Sequence, residues 1–128
     1  IGPLNLVRAA MPRLKMRGKG SIALVGSIAG RIGGVRASAH YAMSKGGIHA
    51  FVHWASRRMA PECTINAVAP GPVDTPMTAE EEFNPESFPM QRMARAEEIA
   101  GPLVFLVSPA ATYINGAVLD INGGLHFS

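Results

Sequence analysis

The sequence is poor in the features that mark secreted, metal-binding, membrane or nucleic-acid-binding proteins. A single cysteine, Cys63, cannot form an internal disulfide, and no Cys-x-x-Cys spacing suggests a metal site. Since Cys63 directly precedes an apolar run, we expect a small, partly buried residue and not a nucleophile. No apolar run approaches the roughly 20 residues that span a bilayer. The net charge of +3 comes from scattered residues without a dense basic run, which disfavours nucleic acid as a partner. We therefore expect a protein of the reducing cytoplasm, with no metal and no membrane.

The chain does carry four histidines, which could suggest a metal or a base: His40, His49, His53 and His126. Although His49 and His53 have the i, i+4 spacing of one helix face, no acidic third ligand lies nearby in the sequence. We expect all four to be surface or interface residues.

Apolar periodicity divides the chain into alternating helices and strands, and 14 glycines and 10 prolines lie between them as turn residues. Helical spacing or helical start signals occur over Leu4–Met16, Tyr41–Met59 and Ala96–Ser108. Short apolar runs of the kind buried on both faces of a sheet occur over Ser21–Ser27, Thr64–Gly71 and Ala117–Gly123. This alternation predicts an α/β fold with a doubly wound parallel sheet, of which three strands make only a part.

Three segments depart from this regular alternation. Pro12 is expected to kink or interrupt the first helix, because proline lacks the amide hydrogen that a helix interior uses. Ile28–Ser38 is rich in glycine and alanine and is typical of a loop. The acidic segment Thr78–Met90 contains two prolines and predicts a surface flap. Three methionines flank or end this flap and could line a substrate pocket or only pack the flap: Met77, Met90 and Met93.

The stretch HYAMSKGG places Tyr41 four residues before Lys45, so on a helix both side chains lie on one face. A tyrosine that acts as an acid or base near neutral pH needs its phenolate stabilised, and a nearby ammonium does this. Gly46 and Gly47 weaken a helix by about 1 kcal/mol each relative to alanine, so a packed helix or a cofactor is expected close to the backbone there. Ser27 ends the first predicted strand, at the edge where open α/β sheets bind ligands.

Five stretches in this order resemble the short-chain dehydrogenase/reductase family, particularly members similar to 3-oxoacyl-carrier-protein reductases. They are GSIALVGSIAG, YAMSK, INAVAPGPVDTPM, RMARAEEIAGPLVFLVS and YINGAVLDINGG. The resemblance covers nearly all of residues 1–128 and corresponds to the C-terminal half of the family's Rossmann-like domain. It implies NADP or NAD as cofactor and the interconversion of a small-molecule carbonyl and a secondary alcohol. The family's dinucleotide-binding half belongs upstream, so we expect this chain to be a piece of a longer protein and to be inactive alone.

The resemblance also implies a role for each matching residue. Ser27 would hydrogen-bond the substrate carbonyl or hydroxyl, and Tyr41 would be the general acid and base. Lys45 would stabilise the Tyr41 phenolate and hydrogen-bond the nicotinamide ribose. The turn after the second strand would hold the nicotinamide carboxamide through Pro70, Gly71, Val73 and Thr75. Ile32, Arg36 and the acidic flap are expected to shape the substrate pocket.

Subunit association and two alternative functions complete these expectations. The family resemblance implies that the Tyr41–Met59 helix, which carries Trp54 opposite its apolar face, packs together with the helix before it against a second subunit, in a dimer or homotetramer. One alternative is a non-catalytic fragment that keeps the fold for subunit association. The other is a lyase or epimerase that uses the same fold and cofactor.

Overall fold

The computed structural model of the chain describes residues 1–34, 37–79, 82 and 84–128. Helices and strands alternate along these residues: α1 (Gly2–Met16), β1 (Gly20–Val25), α2 (Ala29–Ile32), α3 (Ala39–Met59), β2 (Cys63–Pro70), α4 (Ala96–Leu106) and β3 (Val118–Ile121). Short 3₁₀ turns occur at Pro85–Ser87 and Pro109–Ala111. The alternation predicted from apolar periodicity is confirmed, with element ends that shift by a few residues.

The three strands form one parallel sheet in the order β1-β2-β3. Val25 of β1 pairs with Val68, and Pro70 of β2 pairs with Ile121. Since parallel strands all run the same way, their carboxyl ends lie at one edge of the sheet. The segments that follow Val25, Pro70 and Ile121 therefore emerge side by side, and this edge holds the candidate site.

One face of the sheet is covered by α1 and α3. Val52, Ala55 and Met59 of α3 are completely buried and pack in one cluster with Ile65 of β2 and Val7 of α1. The predicted apolar face of α3 is thus confirmed. Burial of a side chain of valine or methionine size contributes ~1.5–3 kcal/mol, so this cluster is a main source of stability.

The opposite face of the sheet is covered by α4. Its Ile99 and Leu106 are buried in a second cluster with Val68, whose side chain points away from the first cluster because side chains alternate along a strand. Helices on both faces of a parallel sheet make the fold doubly wound, as the sequence predicts.

One local prediction was wrong, and the interruption of the first helix that Pro12 could have caused does not occur. α1 continues through Pro12 to Met16, although a proline inside a helix costs ~3 kcal/mol. Met11 and Leu14, on either side of Pro12, pack against the core, and this packing holds the helix together across the missing hydrogen bond. The region predicted as a loop contains α2, a single helical turn that ends at Gly33 in a left-handed conformation (φ 81°). Arg36, Glu80, Glu81 and Phe83, which fall in the predicted loop and flap, lie outside the described residues.

An ion pair connects α4 to the segment that directly follows the flap. Arg92 donates two hydrogen bonds of 2.7 Å to the carboxylate of Glu98, which also accepts the backbone N–H of Arg95 at 2.8 Å. These hydrogen bonds stabilise the ionised carboxylate and lower the pKa of Glu98 to about 2. The start of α4 is thereby fixed to the segment that directly follows the flap.

Among the described residues, no helix is both long and apolar enough to cross a membrane. The same residues contain no group of three histidine, cysteine, aspartate or glutamate side chains that could hold a metal ion.

Candidate active site

The turn after β1 carries Ser27 and stays attached to β2. Gly26 donates its backbone N–H to Val68 at 2.8 Å, and Ile28 donates to the Pro70 carbonyl at 2.8 Å. Ser27 lies between these two bonds and is buried. Its hydroxyl oxygen accepts the N–H of Ala29 at 3.1 Å, which leaves the hydroxyl proton free to be donated.

Tyr41 and Lys45 lie on one face of α3, above the end of β1. The Lys45 ammonium donates to the carbonyl of Val25 at 3.0 Å and lies 5.6 Å from the centre of the Tyr41 ring. Val25 is two residues before Ser27. The structure thus brings the predicted phenol and ammonium to the carboxyl edge of the sheet, beside the turn that holds the predicted serine.

Glycines allow α2 to approach α3 at the Lys45 position. A Cβ placed on Gly30 would lie 2.7 Å from the backbone nitrogen of Gly46 and 2.8 Å from the carbonyl carbon of Lys45. These are backbone atoms that cannot move aside, so residue 30 has to be glycine for this packing. The close neighbour expected at Gly46 is the backbone of Gly30. A Cβ on Gly47 would meet nothing within 4 Å among the described residues, so no described helix packs there and a cofactor at Gly47 stays a prediction.

The turn after β2 starts beside the end of β3. Gly71 donates its N–H to Ile121 at 2.9 Å, and a Cβ on Gly71 would lie only 3.0 Å from the Cα of Asn122. The buried Pro70 and the tightly packed Gly71 therefore set where the following segment leaves the sheet.

Val73 forms a parallel bridge with Ala94, beyond the end of β2. The bridge uses the N–H of Asp74, at 2.8 Å from the Ala94 carbonyl, and the carbonyl of Pro72, at 3.0 Å from the Ala94 nitrogen. In a parallel bridge the central residue points its own N–H and C=O to the opposite side, so those of Val73 face away from Ala94.

Thr78, which sequence reasoning missed as a site residue, organises this turn. Its hydroxyl donates to the Val73 carbonyl at 2.6 Å and accepts the backbone N–H of Thr75 at 3.1 Å. The Thr75 hydroxyl lies 3.5 Å from the same Val73 carbonyl. The signal was present in the sequence TPMT, because threonine and serine close to proline often bond the local backbone.

His49 is the other residue that sequence reasoning placed wrongly. It is only 5% exposed, and its ring packs against Gly26 and Gly30 and contacts Ser27. Burial and the nearby Arg31 lower the pKa of His49 below 6.5. His49 lies four residues after Lys45 and eight after Tyr41, so the same helix spacing that identified those two residues also points to His49.

The remaining predictions of single residues vary in outcome. His40 and His53 are exposed and His126 is half-buried. Cys63 is buried, and this burial raises the pKa of its thiol, so the expectation of an unreactive cysteine fits its surroundings. Ile32 is half exposed at the end of α2.

Comparison with known proteins identifies the family. The profile described as enoyl-(acyl carrier protein) reductase matches residues 1–126. The chain belongs to the short-chain dehydrogenase/reductase family. Within this family, an uncharacterized oxidoreductase of Bacillus subtilis, YmfI, is 40% identical over 97% of the chain and 53% of its own length.

Solved structures of family members show the same arrangement of elements. A 3-oxoacyl-[acyl-carrier protein] reductase from Brucella melitensis has a TM-score of 0.93 at 28% identity and covers 99% of this chain. A glucose/ribitol-type short-chain dehydrogenase/reductase from the same organism has a TM-score of 0.79 at 33% identity over 86% of the chain. The chain covers 50% and 47% of these two structures, and it spans about half the length of the curated relatives it matches. The Rossmann-like fold of this half is therefore shown.

Proposed function

We propose that the natural polypeptide containing this chain is an NAD(P)-dependent oxidoreductase that interconverts a carbonyl and a secondary alcohol. The observation that carries the proposal is the position of Lys45. Its ammonium lies 5.6 Å from the centre of the Tyr41 ring and donates to the Val25 carbonyl at the carboxyl end of β1, two residues before Ser27. The fold supports it, since ligands of open α/β sheets bind at this edge. The names of the relatives, which are oxidoreductases, support it as well.

Each residue of the proposed site has a chemical part. The Tyr41 hydroxyl donates a proton to the substrate oxygen during reduction and takes it back during oxidation. The Lys45 ammonium, held at 3.0 Å from Val25, stabilises the phenolate that remains after the proton leaves. Ser27 donates its free hydroxyl proton to the same substrate oxygen and fixes its orientation.

The residues present fit the nicotinamide end of a dinucleotide cofactor. Lys45 offers an ammonium suited to ribose hydroxyls, and the N–H of Val73 faces away from its bridge with Ala94. Pro70 and Gly71 set the path of this segment, and Thr75 adds a hydroxyl close to the Val73 carbonyl. A cofactor bound there would supply a hydride as NADPH or NADH, or accept one as NADP⁺ or NAD⁺, and the protein residues would orient the substrate and transfer the proton.

The substrate, the subunit partner and the compartment belong to the proposal too. Relatives carry names that refer to acyl-carrier-protein-linked and sugar-alcohol substrates, so we assign only the carbonyl or alcohol class. The exposed Trp54 on α3 supports association of identical subunits as dimers or tetramers. The buried, unreactive Cys63 is consistent with a cytoplasmic location.

A non-catalytic protein that keeps the fold for subunit association is the second candidate. The observation that favours it is the exposed Trp54 on α3, a large aromatic side chain that a subunit contact would cover. The spatial grouping of Tyr41, Lys45 and Ser27 favours the enzyme.

The substitution Tyr41→Phe in the natural polypeptide tests the proposed enzyme. Loss of the phenolic proton should lower kcat by roughly 100-fold or more, as expected for removal of a general acid. Binding of NAD(P)H, followed by nicotinamide fluorescence, should persist because the phenyl ring is retained. Tyr113→Phe is the matched control, since Tyr113 is fully exposed in the turn that follows the 3₁₀ segment Pro109–Ala111. Near-normal turnover by Tyr41→Phe would contradict the proposed role.

A further inference from the structure

We propose that His49 is a positioning residue for Ser27. The neutral imidazole of His49 lies beneath the turn after β1 and accepts a hydrogen bond from the backbone N–H of Ser27. The contact is independent of any assigned activity, whereas its consequence for turnover rests on the proposed function. Among the described residues, the hydrogen bond of the His49 ring is to Ser27, and we infer that His49 acts on turnover through Ser27.

The geometry places the ring directly under the turn. The backbone nitrogen of Ser27 lies 3.5 Å from His49 Nε2, at the long end of hydrogen-bond distances. A Cβ on Gly26 would collide with the same Nε2, and a Cβ on Gly30 would lie 2.8 Å from His49 Cε1. The two glycines on either side of Ser27 leave the space that the imidazole fills. Serine, turn and ring therefore form one packed unit.

The hydrogen bond fixes the tautomer of the ring. Nε2 can accept a proton donor only with its lone pair free, so the ring proton must reside on Nδ1. Nδ1 is buried, and it has no hydrogen-bond partner among the described residues. A buried donor without a partner is unfavourable, so the arrangement is not one that stability alone would select. The hydrogen bond from Ser27 to Nε2 explains why this tautomer is kept although Nδ1 has no partner among the described residues.

Burial and the charges around the ring lower the pKa of His49 and so favour its neutral form. Lys45 and His53 of α3, Arg31 of α2 and Asp120 of β3 face the ring. Burial has the largest effect, and Arg31, His53 and Lys45 act in the same direction to lower the pKa of His49, while Asp120 opposes them. Arg31 and Asp120 also form an ion pair at 3.3 Å. Because their charges have opposite signs, their effects on the pKa of His49 partly cancel.

Protonation of His49 would disrupt the contact. The imidazolium has two N–H donors, so its Nε2–H would face the N–H of Ser27 with no acceptor between them. The bonds from Gly26 to Val68 and from Ile28 to Pro70 would still hold the turn to β2. We therefore expect acid to displace Ser27 without unfolding the protein, and turnover to fall while the fold persists.

The test uses the natural polypeptide with two substitutions at this position. His49→Gln keeps an acceptor at similar reach but does not titrate, and His49→Leu keeps the bulk without an acceptor. One readout is the pH profile of kcat for NAD(P)H-dependent reduction of an acetoacetyl thioester. The second, independent of activity, is the amide ¹⁵N shift of Ser27 followed by NMR together with the ring signals of His49.

We expect the Ser27 amide to titrate with the His49 ring at a midpoint below 6.5, and kcat to fall over the same pH range. His49→Gln should keep kcat within about threefold and lose this acid limb, whereas His49→Leu should lose about tenfold or more at every pH, as for a lost hydrogen bond of ordinary strength. His53→Gln, one turn further along α3, removes a charge that lowers the pKa of His49, so it should leave kcat at neutral pH unchanged and move the acid limb only toward higher pH.

Two results would overturn the inference. A Ser27 amide shift that stays constant while His49 titrates would show that the contact is not a hydrogen bond. Wild-type kcat and an unchanged acid limb in His49→Leu would show that the contact does not position Ser27. Failure of the proposed function gives a different result. Near-normal turnover in Tyr41→Phe would refute the function, while the Ser27 amide shift would still titrate with the His49 ring. The predicted effect of His49 on turnover would then be wrong as well.

Discussion

The Lys45 side chain connects the residues on which the proposed chemistry depends. It reaches from α3 to the Val25 carbonyl and passes near the Tyr41 ring, so one ammonium fixes the helix to the strand end and adds charge beside the phenol. The spacing of Tyr41 and Lys45 could be predicted, because four residues make one turn of helix. The same spacing places His49 on this helix face, but its burial could not be predicted, since it depends on two glycines in a segment that the sequence predicts as a loop. Thr78 was missed for a similar reason, because its partners are backbone atoms.

Substitution of Gly30 should show how tightly α2 approaches α3. Gly30→Ala places a methyl group 2.7 Å from the Gly46 nitrogen, and we expect the free energy of unfolding to fall by roughly 1–3 kcal/mol, as in other overpacked sites. Gly47→Ala is the matched control. It has open space around it in α3 and should raise stability by up to about 1 kcal/mol through helix propensity. Urea denaturation of both variants measures the difference, and equal stabilities would contradict the packing described here.

At the scale of elements, α3 serves two surfaces. Its inner face is buried against β2 and α1, and its outer face carries Trp54, which is 48% exposed. The Trp54 and Phe51 rings stack with their centres 6.0 Å apart, and the Arg58 guanidinium lies 4.1 Å from the centre of the Trp54 ring. The inner face could be predicted from the period of apolar residues. The continuation of α1 through Pro12 could not be predicted, because it depends on contacts that Met11 and Leu14 make with core residues distant in the sequence.

Replacement of Trp54 tests the proposed subunit contact. Trp54→Glu removes an aromatic surface and adds a charge, so we expect the oligomer of the natural polypeptide to dissociate to smaller species, because an unpaired charge is costly in a buried contact. Tyr113→Glu introduces the same charge at another exposed aromatic and should leave assembly intact. Sedimentation velocity distinguishes the two, and an unchanged coefficient for Trp54→Glu would refute the role of α3 in association.

At the scale of the whole molecule, the sheet has the order β1-β2-β3, and its carboxyl edge gathers the proposed site. Among the described residues β1 pairs only with β2, and Val25 on β1 is 46% exposed. The order of strands and helices could be predicted because buried parallel strands read as short apolar runs separated by helical periods. The substrate could not be predicted, because the loops that would shape its pocket follow no pattern of periodicity. The names of the relatives support the class of chemistry that we propose for the natural polypeptide.

The most direct measurement of the central claim is the path of the hydride. The natural polypeptide would be supplied with NADPH or NADH deuterated on the transferable position of the nicotinamide, together with 3-oxoacyl thioester or sugar ketone substrates. Mass spectrometry of the product would then locate the label. The account predicts one deuterium on the carbinol carbon for each cofactor oxidised, and no transfer in Tyr41→Phe. Turnover that leaves the product unlabelled and the cofactor unchanged would instead indicate a lyase or an epimerase. Failure to bind either cofactor would favour the non-catalytic alternative, and both of these results contradict the account.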